Sequence, residues 1–153
     1  MKKRIMVDMS ATLIHHGHIR LLQKASEYGS VIVGLTSDKE IIFKKGYEPE
    51  LTFENRKEIL QSITYVDEVV ETPWLIDENI LDEYKIDFLV HGDDNSNIID
   101  SSKIKIFPRT KGISSSMIRE SVLQSITSIN NKKLMLTPGP AVVLKENLQH
   151  LKP

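Results

Sequence analysis

Apolar residues along this chain fall into short unbroken runs, separated by longer stretches in which they recur every three or four positions. The runs are Ile5-Met6-Val7, Val31-Ile32-Val33-Gly34-Leu35, Val66 to Val70, Asp87-Phe88-Leu89-Val90 and Ile104-Lys105-Ile106-Phe107. The clearest of them is rich in β-branched residues and does not alternate with polar ones, the pattern of a strand buried on both faces of a parallel sheet. Between the runs, Ile19, Leu22 and Ala25 continue into Glu27-Tyr28 as an amphipathic helix that Gly29 terminates. Thr52 caps a second helix through Arg56, Ile59, Leu60 and Ile63, and a third covers 76–84. The stretch from Ser37 to Thr52 reads as a polar loop. Alternation of strands and helices predicts the α/β class, a Rossmann-like parallel sheet sandwiched between helices.

Composition narrows the range of functions. A chain of 153 residues, 40% apolar and 27% charged, has the balance of one ordinary globular domain with a real core. The net charge of -1 offers no broad basic surface. Neither nucleic acid nor a membrane is therefore an expected partner, and any anion must be small and met by locally placed groups. The absence of cysteine excludes disulfides and thiolate metal sites and fits a cytoplasmic location. Met1-Lys2-Lys3-Arg4 is basic, but the apolar run behind it ends at Asp8, too soon for a signal peptide or a membrane span.

The candidate chemistry sits at strand ends. His15-His16-Gly17-His18 lies at a strand-to-helix turn, where imidazoles beside the unpaired N–H groups of a helix start favour an anion such as phosphate. His16 has the local or solvent-facing place in that motif. Three imidazoles alone would also suit a transition metal, but no carboxylate or cysteine stands beside them in sequence to complete a shell. Far downstream, Arg109-Thr110-Lys111-Gly112-Ile113-Ser114-Ser115-Ser116 offers a guanidinium for bidentate pairing, then hydroxyls and amides of a helix start. Capping the helix uses the same serine donors. Gly92-Asp93-Asp94 closes a strand with ordinary turn chemistry, and Lys44 and Lys45 are adjacent in the polar loop. In an open parallel sheet these loops all belong on the carboxyl edge, where ligands bind.

Taken with Tyr65-Val66-Asp67-Glu68-Val69, these motifs resemble, in order and spacing, the cytidylyltransferases of the HxGH nucleotidyltransferase superfamily, above all the glycerol-3-phosphate cytidylyltransferases, over residues 3 to 126. The resemblance implies transfer of CMP from CTP to a small phosphate or phosphonate acceptor with release of pyrophosphate. It implies catalytic roles for His15, His18, Lys44 and Arg109. Ser10, Ala11, Gly17, Gly92, Asp94, Ile113, Ser114, Ser115 and Ser116 join Arg109 on the nucleotide, Gly17 by letting a phosphate approach the backbone closely. Lys44, Lys45 and Trp74 face the acceptor. No residue is implied as a metal ligand; Mg²⁺ enters with CTP, and the protein is expected as a homodimer.

Departures from the pattern bear on the same expectations. Met9-Ser10-Ala11-Thr12 stands where these enzymes read Gly-Thr-Phe-Asp, so Thr12 replaces an acid, and Thr64 replaces an arginine. The lost acid motivates an alternative, a CTP-binding module impaired in catalysis, while HxGH alone is shared with adenylyltransferases. Arg56 falls where the family has a helix arginine; by itself it reads as half of a surface ion pair. Residues 1–129 are expected to form the transferase domain and 130–153 a linker or tail. Asn130-Asn131-Lys132-Lys133 reads as a polar linker, and Leu134 to Pro140 resembles the opening of class V aminotransferases, as at the start of a fused domain. That places a 2-aminoethylphosphonate-like acceptor beside a glycerol 3-phosphate-like one.

Overall fold

The computed structural model describes residues 1–136. The chain runs β1 (Arg4–Met9), α1 (His16–Ser26), β2 (Ser30–Thr36), α2 (Asp38–Lys45), α3 (Phe53–Gln61), β3 (Glu68–Thr72), α4 (Glu78–Glu83), β4 (Phe88–Gly92), β5 (Ile104–Phe107) and α5 (Ser115–Leu136). All pairings are parallel and the five strands stand in the order β3-β2-β1-β4-β5, as the unbroken apolar runs predict. The chain builds outward from β1 to β3, then returns to the other side of β1 with β4. The order therefore reverses between β1 and β4, and the crevice beyond their carboxyl ends is the place such a sheet offers a ligand.

Side chains alternate along β1, so each face of the sheet has its own core. Ile5 and Val7 pack with Leu22 and Ala25 of α1 and Leu60 of α3. Met6 and Ile32 pack with Ile76, Leu81 of α4, Ile86 and Leu89 on the opposite face. Residues 1–115 form one compact unit, and a second begins within α5 at Ser116. No helix among the described residues is long and apolar enough to cross a membrane.

Several expectations shift. The supposed loop after Ser37 contains α2: the Ser37 hydroxyl accepts from the Glu40 N–H, Asp38 and Glu40 occupy the first turn, and Gly46 closes the helix at φ 76°. Polar composition hid a short helix made from its own caps and end charges. β3 starts at Glu68 rather than Val66, because the Val66 N–H is used in a turn to Ile63 and the Asp67 carboxylate is occupied by the Val31 N–H at 2.8 Å. Asp77 caps α4, which delays its start to Glu78. Asn130 to Lys133, read as a linker, are helical within α5. The Pro138-Gly139-Pro140 segment that carried the aminotransferase resemblance lies outside the described residues.

Candidate functional site

The histidine motif forms a reciprocal cap made of imidazoles. His15 takes the extended conformation of an N-cap residue, and its Nδ1 accepts from the Gly17 N–H at 3.1 Å. His18, one turn on, returns the bond: its Nδ1 accepts from the His15 N–H at 3.1 Å. The two rings lie 4.0 Å apart between centroids. Sequence spacing alone dictates this, since residues three apart on a helix start face one another. Both Nδ1 atoms act as acceptors, so in each neutral ring the proton resides on Nε2, the atom facing away from the backbone. Burial, reinforced by the neighbouring ring, pushes His18 down to about 4; burial also lowers His15, with His16 adding to it. At neutral pH the pair is uncharged and offers two Nε2–H donors. His16 is exposed, in line with the solvent-facing place expected for it.

Gly17 has a structural reason. A Cβ at this position would lie 2.8 Å from Cε1 of His15, so any side chain would expel the capping ring, and it would lie 3.3 Å from Ile113 Cγ2. Ile113 thus brings the downstream motif against the start of α1. The Ser115 hydroxyl reinforces that approach by donating to the Leu13 carbonyl at 3.0 Å. Two motifs about a hundred positions apart in the sequence are joined by one serine and one isoleucine.

The loop before His15 is held from below by an arginine that is fully buried, not by a surface ion pair. Arg56 donates from Nη1 to the Ser10 carbonyl at 2.6 Å and the Thr36 carbonyl at 3.0 Å, from Nε to the Leu51 carbonyl at 3.1 Å, and from Nη2 to Asp38 at 2.6 Å. The fork of the guanidinium ties the ends of β1 and β2 to the starts of α2 and α3. Ser10 is therefore positioned through its carbonyl. Ala11 is buried with φ 45°, a left-handed conformation unusual for a residue with a side chain, and Thr12 is buried beside it.

At the ends of β4 and β5, Arg109 is bound to Asp94 through Nη2, with Asp93 Oδ1 3.8 Å from its Nε. Gly92 permits this fold-back: a Cβ there would come within 3.0 Å of Asp94 Oδ1. Lys44 and Lys45 lie exposed on the last turn of α2, Lys45 with its ammonium 5.7 Å from the centroid of the half-buried Trp74. The Trp74 N–H donates to Glu40 at 3.0 Å, which ties the 73–76 loop to α2. Ser114 and the exposed Ser116 stand on either side of Ser115 at the start of α5. Among the described residues no cluster of three or more histidines and carboxylates could hold a metal ion.

Sequence reasoning missed a polar group on the α4 face of the same edge. Asp8, nine-tenths buried at the end of β1, accepts from Asn97 Nδ2 at 3.1 Å and lies 3.4 Å from His91 Nε2. Its other oxygen, Oδ1, is buried without a partner, as is Thr72 Oγ1. The available signal was a charged residue closing a buried strand, Ile5-Met6-Val7-Asp8, and a histidine closing another, Leu89-Val90-His91.

Comparison with known proteins agrees with this geometry. The family model described as cytidylyltransferase-like matches residues 10–121. The chain is 34% identical over 125 residues to the glycerol-3-phosphate cytidylyltransferase of Bacillus subtilis, covering 78% of this chain and 97% of that protein. It is 33% identical over 131 residues to the ethanolamine-phosphate cytidylyltransferase of Arabidopsis thaliana, covering 75% of this chain but only 31% of that longer protein. Among solved structures, a lipopolysaccharide core biosynthesis protein from Thermoplasma volcanium superposes with a TM-score of 0.63 at 18% identity, over 72% of this chain and all of the other, and shows the shared fold.

Proposed function

The chain belongs to the cytidylyltransferase-like family of nucleotidyltransferases, and from that premise we propose that it transfers CMP from CTP to a small phosphate- or phosphonate-bearing acceptor. An acceptor oxygen attacks the α-phosphorus of CTP, the new P–O bond forms, and the bond to the β-phosphate breaks, leaving pyrophosphate with the electron pair. The nucleophile is already anionic, so the protein's part is position and charge stabilisation rather than a strong base.

The observation that carries this reading is the imidazole cap. Backbone bonds to Nδ1 fix both Nε2–H groups as donors before substrate arrives, which is the preorganisation that stabilises charge developing on an α-phosphate and its leaving group. Because burial holds both rings neutral, they act as aimed dipoles; resting positive charge for the triphosphate comes from Arg109 and Lys44. The start of α5, with Ser114, Ser115 and Ser116, supplies further amides and hydroxyls for an anion. Mg²⁺ belongs to this reading as the companion of CTP, held by phosphates and water. A cytoplasmic homodimer completes the proposal.

For the acceptor, the two readings are a glycerol 3-phosphate-like and a 2-aminoethylphosphonate-like compound, with Lys44, Lys45 and Trp74 around it. Both classes are kept because the relatives include glycerol-3-phosphate and ethanolamine-phosphate cytidylyltransferases. The test is pyrophosphate release with Mg²⁺, CTP or ATP, and three acceptors: glycerol 3-phosphate, ethanolamine phosphate and 2-aminoethylphosphonate. Turnover is expected with CTP over ATP, and with at least one of the three acceptors. Binding of CTP with no pyrophosphate from any acceptor would overturn the transferase reading in favour of an impaired nucleotide-binding module.

A further inference from the structure

A chain of side chains runs along the carboxyl edge from the buried end of β1 to the exposed arginine, and the transfer chemistry above leaves its middle members unused. Asp8 Oδ2 is fixed by Asn97, whose own Oδ1 accepts from the Ile76 N–H at 2.7 Å. The same carboxylate faces Nε2 of His91 at 3.4 Å. On the other side of that ring, Nδ1 lies 3.0 Å from the Gly92 carbonyl oxygen and 3.6 Å from Asp94 Oδ1. Asp94 in turn holds Arg109. A carbonyl oxygen can only accept, so the ring proton on Nδ1 is fixed by Gly92, and Nε2 is the one ring atom left to exchange a proton with Asp8.

We infer that Asp8 and His91 are a positioning pair for the nucleotide arginine: one proton is shared between Asp8 Oδ2 and His91 Nε2, and the ring so held orients Asp94 and, through it, Arg109. Two observations support the pairing. A charged carboxylate at this depth is costly unless neutralised, and burial raises the Asp8 pKa while its neighbour His91 opposes that rise. The groups facing the pair are Asn97 and Asp94 together with the Gly92 carbonyl, so the only cation within reach of Asp8 in the described residues is the ring itself. Arg109 enters the chain with Nη2 on Asp94 and Nε toward Asp93, an arrangement that presents the rest of the guanidinium to a phosphate.

The inference rests on the CTP reading only for the identity of what Arg109 meets. Its test uses the whole chain, ¹⁵N-labelled at histidine, with Asp8→Asn and His91→Phe as variants and CTP binding measured by calorimetry without acceptor. In the wild-type spectrum His91 is expected with Nδ1 protonated and hydrogen-bonded, and with an Nε2 resonance that shifts in Asp8→Asn. Acceptor-free CTP binding is expected to weaken about fivefold in both variants, although Asp8 lies at the buried end of the chain. Asp8→Asn keeps an oxygen for Asn97, and an unchanged melting transition separates this loss from unfolding. An Nδ1 without a proton, an Nε2 resonance indifferent to Asp8→Asn, or wild-type CTP affinity in both variants would each overturn the pairing. Failure of the wild type itself to bind CTP would instead overturn the transferase reading, with the ring spectra still deciding the proton.

Discussion

At the start of α1 the imidazoles of His15 and His18 are locked by backbone N–H groups, partly buried and neutral; at the ends of β4 and β5, Arg109 is exposed, charged and locked by the carboxylates of Asp93 and Asp94. Under the proposed transfer, the contrast matches what each half would meet. A triphosphate arrives already charged, so a permanent cation with a preset fork suits it. Charge at the reacting phosphorus develops only during transfer, and neutral donors fixed in direction stabilise it without holding the ground state as strongly. Locking by backbone gives the first half its precision, and locking by side-chain charge leaves the second half sensitive to salt and to its neighbours.

Four experiments would break or sharpen that contrast. The largest effect is expected from Arg56→Ala, which removes the buried fork beneath the histidine loop and takes its hydrogen bonds from Asp38 and three carbonyls: a loss of about 3–5 kcal/mol in denaturant unfolding. Stability near that of wild type would mean the loop before His15 is held by something else. Next, His18→Ala should lower kcat by about 10²–10³-fold with a much smaller change in CTP affinity, because its donor acts on developing charge. An effect on KM alone would place His18 with the resting-charge half instead.

Acid should weaken the histidine half selectively. The folded pKa of His18 is lowered to about 4 from an unfolded value near 6.5, so the unfolded chain binds a proton first and stability falls as pH drops through the interval between them. The loss attributable to His18 is at most roughly 3 kcal/mol, complete near pH 4, and it should vanish from the difference curve of a His18→Asn variant. Stability that rises on acidification through that window would contradict a neutral cap. The smallest effect is expected from Arg109→Lys, which keeps the charge but loses the fork: about a tenfold rise in KM for CTP with kcat little changed, measured at fixed ionic strength.

The strands were legible in the sequence because burial on both faces leaves unbroken β-branched runs, and α1 because its apolar residues keep helical spacing. α2 was not, since its stability comes from the Ser37 cap, the end charges and Gly46, none of which makes an apolar stripe. In the site, His15, Gly17 and His18 could be read directly, because a cap is a local device and its members lie within one turn. Arg56 reads as a surface residue until the ends of β1, β2 and the turn before α3 converge on it.

The sequence by itself therefore determined the α/β class, the two candidate anion-binding motifs and the tautomer-fixing spacing of His15 and His18, all set by contacts within a few residues. Only the tertiary structure decided that these histidines are neutral, that Arg56 is buried, and that Asp8 and His91 stand beside the Asp94–Arg109 pair. The physical reason is that desolvation and long-range pairing depend on which strands lie side by side. Asp8 meets His91 because β4 returns to pair with β1, a neighbour 83 positions away in sequence that no local pattern encodes.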